Sequence, residues 1–277
     1  MGLRIFYLSY VTVFLYFTSS AYATSPLVHD SLSKATNKIS SNAYAFEKCR
    51  ALQSKPFDNK SWKKKAIIIG DSQGCDFLNS ALENGYLRNY QIQFHFIPYP
   101  CQSVPGEYIT TYILPKHRVF CTKDSRVDTL KKVKSQVKDA NLIIFSSLWK
   151  PQVAEKLPKI INYLQLGKYQ RLIVIGNKFF GKMSIQNYYH MTNRELRLLR
   201  NKVGTQSMDV NSILRRRSSG KVIFIDPHKL ICGDNSTSCP IFTDNLRLIS
   251  YDGRHLTKEG ARYIGRILFQ NSALGNI

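Results

Sequence analysis

The chain has 277 residues, 43% of them hydrophobic, which is enough for one sizeable packed domain and excludes wholesale disorder. Forty lysines and arginines face 18 aspartates and glutamates, so the formal net charge is +22. A field of that size attracts polyanions, and it leaves nucleic acid, an acidic glycan, an anionic membrane surface or no dedicated partner as alternatives.

Residues 1–23 predict a secretory signal peptide. Arg4 precedes an apolar run at residues 5–17, and Ala21-Tyr22-Ala23 offers a cleavage site of the A-x-A type. The run is short for a membrane span, which needs about 20 residues. We expect cleavage after Ala23 and a periplasmic or extracellular protein; an uncleaved membrane anchor is the main alternative. Export argues against nucleic acid as a partner and favours a cell-envelope glycan.

Residues 24–61 are rich in Ser, Asn, Lys and Ala, and we predict an extended or partly helical lead-in before a domain at residues 62–277. In that domain apolar runs alternate with segments of helical spacing, which is typical of an α/β fold with a parallel sheet covered on both faces. The predicted strands are residues 66–70, 92–97, 142–146, 172–176 and 222–226. The predicted helices are residues 77–87, 127–137, 153–166, 195–214 and 258–269. Alternation over residues 91–97 indicates a strand with one more polar face, at an edge of the sheet.

All six cysteines follow the predicted signal peptide, and disulfides are permitted in an exported protein. Two pairs bracket irregular stretches and the third is left by elimination: Cys232–Cys239, Cys101–Cys121 and Cys49–Cys75, in that order. A zinc site is the alternative, but the sequence has no CxxC pair or HxxxH spacing to support it. We therefore predict disulfides and no metal.

The first predicted strand ends in Gly70-Asp71-Ser72, which can present a serine at the edge of the sheet. In such sheets ligands bind beyond the carboxyl ends of the strands, so Ser72 would lie at a pocket. The same edge would carry residues 98–102, 147–150, 177–180 and 227–228. Taken alone, the motif is also an ordinary strand-to-helix turn, and Asp71 is expected to brace that turn.

His255 has the neighbours that a catalytic base needs. Asp252 precedes it by three residues, and a helical segment that Thr257 can cap follows it. A serine hydroxyl needs a base to take its proton, and a carboxylate usually holds that base in the right tautomer. An α/β sheet brings the first strand and the last helix together at one edge. We therefore predict Ser72 as nucleophile, His255 as base and Asp252 as the group that orients the imidazole.

Gly70-Asp71-Ser72 early in the chain and Asp252-x-x-His255 late resemble the SGNH (GDSL-type) hydrolase superfamily. The chain is similar in particular to the extracytoplasmic SGNH domain that is fused to, or partnered with, membrane polysaccharide O-acyltransferases. The similar stretches, within residues 62–270, are IIIGDSQ, PYPCQ, RVFCTKD, NLIIFSSLWK, VIFIDPHKLIC and YDGRHLTKEGA. The resemblance implies a three-layer α/β/α sandwich with a mostly parallel, flavodoxin-like five-stranded sheet, and a membrane acyltransferase as partner.

One feature departs from the superfamily, whose Gly-x-Asn block after the third strand supplies an oxyanion donor. This chain has Ser-Ser-Leu-Trp at residues 146–149 instead. The backbone N–H of Ser72 remains as a donor, and the start of the next helix adds a favourable dipole. The glycine of the superfamily's second block could be Gly106 or Gly85. Candidates for oxyanion or substrate contacts are Gln73, Trp149 and Asn177.

The expected function is transfer or hydrolysis of acyl esters, and of acetyl esters first, on a cell-envelope polysaccharide. The reaction would pass through an acyl-Ser72 intermediate and would need no cofactor. A non-catalytic glycan-binding module of the same fold is the alternative, and the missing asparagine favours it. An exported nuclease would rest on charge alone, since the sequence carries no nucleic-acid-binding motif that we recognise.

Overall fold

The computed structural model describes residues 26–53, 55–234 and 236–277, so the predicted signal peptide lies outside the described residues. The strands within these ranges are β1 Lys64–Gly70, β2 Tyr90–Phe96, β3 Leu142–Ser146, β4 Arg171–Ile175, β5 Arg200–Lys202, β6 Val222–Ile225 and β7 Ser238–Pro240. The α-helices are α1 Pro26–Thr36, α2 Lys38–Ala51, α3 Ser72–Glu83, α4 Ile109–Tyr112, α5 Arg118–Lys123, α6 Leu130–Gln136, α7 Pro151–Ala154, α8 Leu157–Leu164, α9 Ile185–Tyr188, α10 Asn193–Leu198, α11 Gln206–Arg217, α12 Pro227–Cys232 and α13 Lys258–Gln270.

Five strands form one parallel sheet in the order β2-β1-β3-β4-β6. Gly70 at the end of β1 lies opposite Phe96 of β2 and Ser146 of β3, so the carboxyl ends of these strands finish at one level. The order is the flavodoxin-like one, and β2 lies at the edge, as the sequence predicts. The predicted α/β fold is therefore confirmed.

Helices cover both faces of the sheet, because successive side chains of the central strands point to opposite sides. Ile68 and Ile144 belong to the core beneath α2, α3 and α13. Ile69 and Phe145 belong to the core beneath α6, α8 and α11. These two apolar layers on either side of the sheet make the predicted three-layer sandwich.

Gly70 allows β1, β3 and α3 to approach closely. A Cβ atom at this position would collide with the backbone carbonyl of Ser146 on β3. Gly74, on the first turn of α3, lies against the same carbonyl oxygen. The two glycines thus let α3 start directly above the sheet, which fixes the position of the residue that opens the helix.

The predicted lead-in is mostly helical where it is described, and the helices end at Ala51. α1 and α2 occupy most of residues 26–51 and bury Val28, Leu32 and Cys49 in the core on the α3 face. None of the described helices combines the length and the apolar character that a bilayer span requires.

Two segments that the sequence predicts as single helices each contain more than one element. The segment 195–214 divides into the end of α10, strand β5 and most of α11, because β5 pairs antiparallel with β7. The segment 153–166 likewise divides between α7 and α8. In addition, the helix after β1 begins at Ser72 rather than residue 77, because the Asp71 side chain caps its first turn.

Three disulfides join the six cysteines in the predicted pairs, Cys49–Cys75, Cys101–Cys121 and Cys232–Cys239. The first joins α2 to α3, and the third joins α12 to β7. These pairings are confirmed.

Candidate active site

Ser72 opens α3, and Asp71 fixes the turn that precedes it. One Asp71 carboxylate oxygen accepts a hydrogen bond from the backbone N–H of Gln73 at 2.9 Å, which satisfies a free donor of the first helical turn. The same carboxylate accepts from the backbone N–H of Leu148, at 3.0 and 3.1 Å to its two oxygens. Asp71 therefore ties the nucleophile turn to the loop after β3, in the bracing role that the sequence predicts.

Burial raises the pKa of the Asp71 carboxyl to about 6, against an ordinary value of 3.8. Desolvation disfavours the charged form, and the hydrogen bonds from Gln73 and Leu148 offset only part of that cost. The carboxyl beside the candidate nucleophile is therefore protonated more readily than that of an exposed aspartate.

His255 and Asp252 form a local pair in the turn before α13. The Nδ1 atom of His255 lies 2.6 Å from Oδ2 of Asp252. The other oxygen of Asp252 accepts the backbone N–H groups of Arg254 and His255, each at 2.8 Å. Burial pushes the pKa of Asp252 upward, but the hydrogen bonds from the His255 ring and from both N–H groups outweigh it, so the pKa is lowered. Asp252 is thus held as a carboxylate that orients the imidazole.

Two aromatic rings flank the His255 imidazole. Tyr251 stacks on it, with ring centroids 5.7 Å apart, and Phe46 of α2 lies against it at 5.8 Å. Ser250 accepts the N–H of Gly253 and donates to the carbonyl of His255, which closes the turn. The imidazole is therefore held by packing as well as by its carboxylate.

Ser72 and His255 line one cavity of about 470 Å³ at the carboxyl ends of the strands. Residues 98–100, 148–149 and 177–179 also line it, within three of the four segments that the sequence predicts for this edge. Residues 227–228 do not line it; the His228 ring lies instead 2.8 Å from the carbonyl oxygen of Ser236. Ser72, near the start of the domain sequence, and His255, near its end, thus lie at the same cavity.

The three candidate contact residues are largely engaged with the protein itself. The Gln73 side chain donates to the carbonyl of Lys178 and accepts its N–H, at 3.0 and 3.2 Å. Oδ1 of Asn177 accepts the N–H of Trp149 at 2.7 Å, while its amide nitrogen lies 3.3 Å from the Trp149 carbonyl. The Trp149 indole donates to the carbonyl of Ile175 at 2.9 Å. All three line the cavity, but these bonds fix its wall.

The two glycine candidates for a second oxyanion donor lie elsewhere. Gly85 follows the end of α3, one helix length from Ser72, and Gly106 lies in the loop before α4. Neither lines the cavity, so the assignment of either to the oxyanion site has no geometric support. The backbone N–H of Ser72, at the positive end of α3, remains the candidate donor.

Several residues of this site carry no recognisable signal in the sequence. Phe46 lines the cavity from α2, a helix that the sequence leaves within an irregular lead-in. Lys178 lines it too, and its ammonium group pairs at 2.5 Å with Asp76, a fully buried residue of α3. The one available signal was Asp76, the single charged residue between Ser72 and Glu83.

Potential metal-ligand atoms of His228, Cys232 and Cys239 lie within 4.8 Å of one another. Both sulfur atoms are joined in a disulfide, and Nε2 of His228 lies 2.8 Å from the carbonyl oxygen of Ser236. Zinc is bound by thiolates, not by a disulfide, so this cluster does not fit a metal as it stands.

Comparison with known proteins agrees with this fold. Residues 34–270 match the protein family described as "SGNH domain (fused to AT3 domains)". No curated relative matches the chain at a significant level. Among solved structures, the chain is similar to the periplasmic domain of the lipopolysaccharide acetyltransferase of Salmonella ser. Paratyphi A. The TM-score is 0.52 at 15% identity, over 86% of this chain and 98% of that domain, which is a likeness of fold.

Proposed function

The chain belongs to the family of SGNH domains found fused to AT3 domains, and on that premise we propose that it is a serine-dependent acyltransferase or acylesterase acting on a cell-envelope glycan. The observation that carries the proposal is the shared cavity of Ser72 and His255, with Nδ1 of His255 held 2.6 Å from Asp252. A serine nucleophile requires a base in the same cavity and a carboxylate that orients this base, and His255 and Asp252 meet these two requirements.

In the first step the Oγ atom of Ser72 attacks the carbonyl carbon of the acyl ester, and Nε2 of His255 accepts the hydroxyl proton. Asp252 stabilises the imidazolium that forms. The backbone N–H of Ser72, with the dipole of α3, stabilises the oxyanion. Collapse of the tetrahedral intermediate expels the alcohol, which takes the proton from His255 and leaves an acyl-Ser72 ester.

In the second step His255 takes a proton from an incoming hydroxyl, whose oxygen attacks the acyl-serine carbonyl. Collapse of this intermediate breaks the bond to Oγ of Ser72, and His255 returns the proton to that oxygen. A sugar hydroxyl gives transfer, and water gives hydrolysis. We propose that transfer is the physiological reaction. AT3 domains are the membrane acyltransferase components of this family, so a membrane acyltransferase is the proposed source of the acyl group.

We further propose that the protein works outside the cytoplasm, after cleavage of the signal peptide at residue 23. Three disulfides support this location, because disulfides persist in oxidising compartments. Intact-mass measurement of protein recovered from the periplasm tests the cleavage site directly.

The test of the chemistry is covalent labelling. A serine-directed fluorophosphonate should label the wild-type protein, and Ser72→Ala should abolish both labelling and hydrolysis of a chromogenic acetate ester. Ser103→Ala, which changes a serine outside the catalytic cavity, serves as the matched control and should keep both. Labelling that survives Ser72→Ala would exclude Ser72 as the nucleophile.

A second experiment separates transfer from hydrolysis and from simple binding. The protein is incubated with an acetylated envelope glycan, with and without an unacetylated acceptor, and the acetyl group is followed. Acetyl on the acceptor supports transfer, and free acetate alone supports hydrolysis. Neither product, together with salt-sensitive glycan binding, would favour the non-catalytic module.

A further inference from the structure

A second groove, of about 970 Å³, adjoins the catalytic cavity. Three chain segments line it: residues 35–42 at the junction of α1 and α2, residues 179–187 after β4, and residues 251–254 of the His255 turn. Phe179 and Arg254 line both the groove and the catalytic cavity. A ligand that fills the groove would therefore reach the wall of the catalytic cavity, which Ser72 also lines.

The groove is positively charged. Lys38, Lys182 and Arg254 are exposed along it, and within the described residues none of the three lies within ion-pair distance of a carboxylate. The single carboxylate among its lining residues is Asp252, which is already bonded to His255. Three cations facing one carboxylate give the groove a net positive charge, which suits a ligand with negative charges.

The remaining lining suits a sugar. Asn42 accepts a hydrogen bond from the Tyr251 hydroxyl at 3.0 Å, an arrangement that uses its oxygen and leaves its amide hydrogens to donate. Gln186 and Asn187 add exposed amides, which can donate to and accept from hydroxyl groups. Phe179 offers an aromatic surface at the junction with the catalytic cavity.

We propose that this groove binds an anionic stretch of the glycan, carrying carboxylate or phosphate groups, and thereby brings an adjoining sugar to Ser72. The proposal rests on the proposed function for the identity of the site that the groove serves. It adds the chemical class of the substrate, since a neutral glycan would leave the three cations without partners.

Binding is measured in the Ser72→Ala protein, so that no turnover is needed. The probes are a fluorescent hexagalacturonate, which carries carboxylates, a phosphorylated maltohexaose, and unmodified maltohexaose as the neutral reference. The variant Lys38→Ser/Lys182→Ser removes two groove cations. The matched control is Lys63→Ser/Lys168→Ser, which removes two exposed lysines just before β1 and in the loop that precedes β4, at the opposite end of the sheet.

The groove variant should bind at least one anionic probe about fivefold or more weakly, as expected from losing two partly screened charge contacts, while the control pair stays within about twofold. The anionic probe whose binding weakens in the groove variant identifies carboxylate or phosphate as the recognised group. Equal weakening in both pairs would show a general charge effect and overturn the proposal. So would tight binding of the neutral probe that ignores the groove variant.

The result of this binding experiment does not depend on whether Ser72 is a nucleophile. If the fluorophosphonate fails to label Ser72 while the groove variant selectively loses the anionic probe, the proposed enzyme is wrong and the groove stands. If Ser72 is labelled and the groove variant binds like the control pair, the groove is wrong and the enzyme stands. Thermal unfolding of each variant shows that the comparison is made between folded proteins.

Discussion

Asp76 and Lys178 together hold the His255 turn against the nucleophile helix. Asp76 lies on α3, four residues after Ser72, and its carboxylate accepts the N–H of Leu256 at 3.1 Å. Its other oxygen pairs with the Lys178 ammonium group, which also donates to the carbonyl of Arg254 at 2.9 Å. The pair therefore contacts the backbone on both sides of His255, and we assign it a positioning role.

Asp76→Asn should leave the buried Lys178 ammonium without a counter-charge. We expect the free energy of unfolding to fall by about 3–5 kcal/mol, the usual effect of breaking a buried ion pair. Asp76→Asn/Lys178→Met should recover most of that loss, because no buried charge is left unpaired. The value of kcat for a small ester should nevertheless stay low in the double variant, since the Arg254 carbonyl has then lost its Lys178 anchor.

The measurements are denaturant unfolding and steady-state kinetics on the same preparations. A double variant that regains wild-type stability and also wild-type kcat would show that the pair only stabilises the fold. A rise in KM at unchanged kcat would contradict the positioning role as well, because it would indicate a contact with bound substrate.

Asp71 gives the stability of the protein a predictable dependence on pH. Its folded-state pKa of about 6 lies above the ordinary 3.8, so the folded state prefers the protonated carboxyl. The contribution of the protonated Asp71 carboxyl to the free energy of unfolding is therefore fully present below about pH 4, and it is lost as pH rises through about 6. In Asp71→Asn, which keeps the capping oxygen, this dependence should disappear.

The quantity to measure is the difference in unfolding free energy between Asp71→Asn and the wild-type protein from pH 4 to pH 7. It should shift in favour of the variant by on the order of 2–3 kcal/mol across that window. A difference that does not change with pH would mean that Asp71 titrates at its ordinary value in the folded protein.

At the scale of elements, the sequence best predicts those strands and turns whose formation depends on neighbouring residues in the chain. The three central strands, β1, β3 and β4, are continuous apolar runs, as expected of strands buried on both faces, and their predicted windows agree with the structure to within two residues. The Asp252–His255 pair was predictable because its contacts close within three residues. Strand β5, Arg200–Lys202, was not, because its polar residues become a strand only by pairing with β7, almost 40 residues later.

The contribution of α2 to the site depends on contacts distant in sequence. The disulfide between Cys49 and Cys75 joins α2 to α3, and the Arg50 guanidinium lies 3.8 Å above the centre of the Phe96 ring. Asn79 of α3 donates to the carbonyl of Tyr44 at 3.1 Å. These contacts hold α2 against α3 and β2 and so bring Phe46 to His255. The packing of α2 could not be predicted, because residues 24–61 show little periodicity.

Removing this disulfide should therefore affect activity as well as stability. Cys49→Ala/Cys75→Ala opens a loop of 26 residues and Cys101→Ala/Cys121→Ala one of 20, so each should lower the unfolding free energy by about 3 kcal/mol. Only the first pair joins a cavity wall to the nucleophile helix. Its kcat/KM for a small ester should fall several-fold, while the second pair keeps its activity under folding conditions. Equal activities would show that α2 stays docked without the bond.

At the scale of the whole molecule, the net charge of +22 should make recognition of a polyanionic glycan sensitive to salt, whereas the chemical step should not be. The screening length falls from about 30 Å at 0.01 M salt to about 8 Å at 0.15 M, so attraction from cations remote from the site vanishes first. The residues that touch the reacting atoms interact within hydrogen-bond distance, where screening is weak. We therefore expect kcat/KM for an acetylated anionic glycan to fall at least about tenfold over this range, mainly through KM. For a neutral chromogenic acetate it should change by less than about twofold. Measuring both substrates in the same salt series tests this, and parallel declines would mean that salt acts on the fold or on the catalytic residues rather than on glycan recognition.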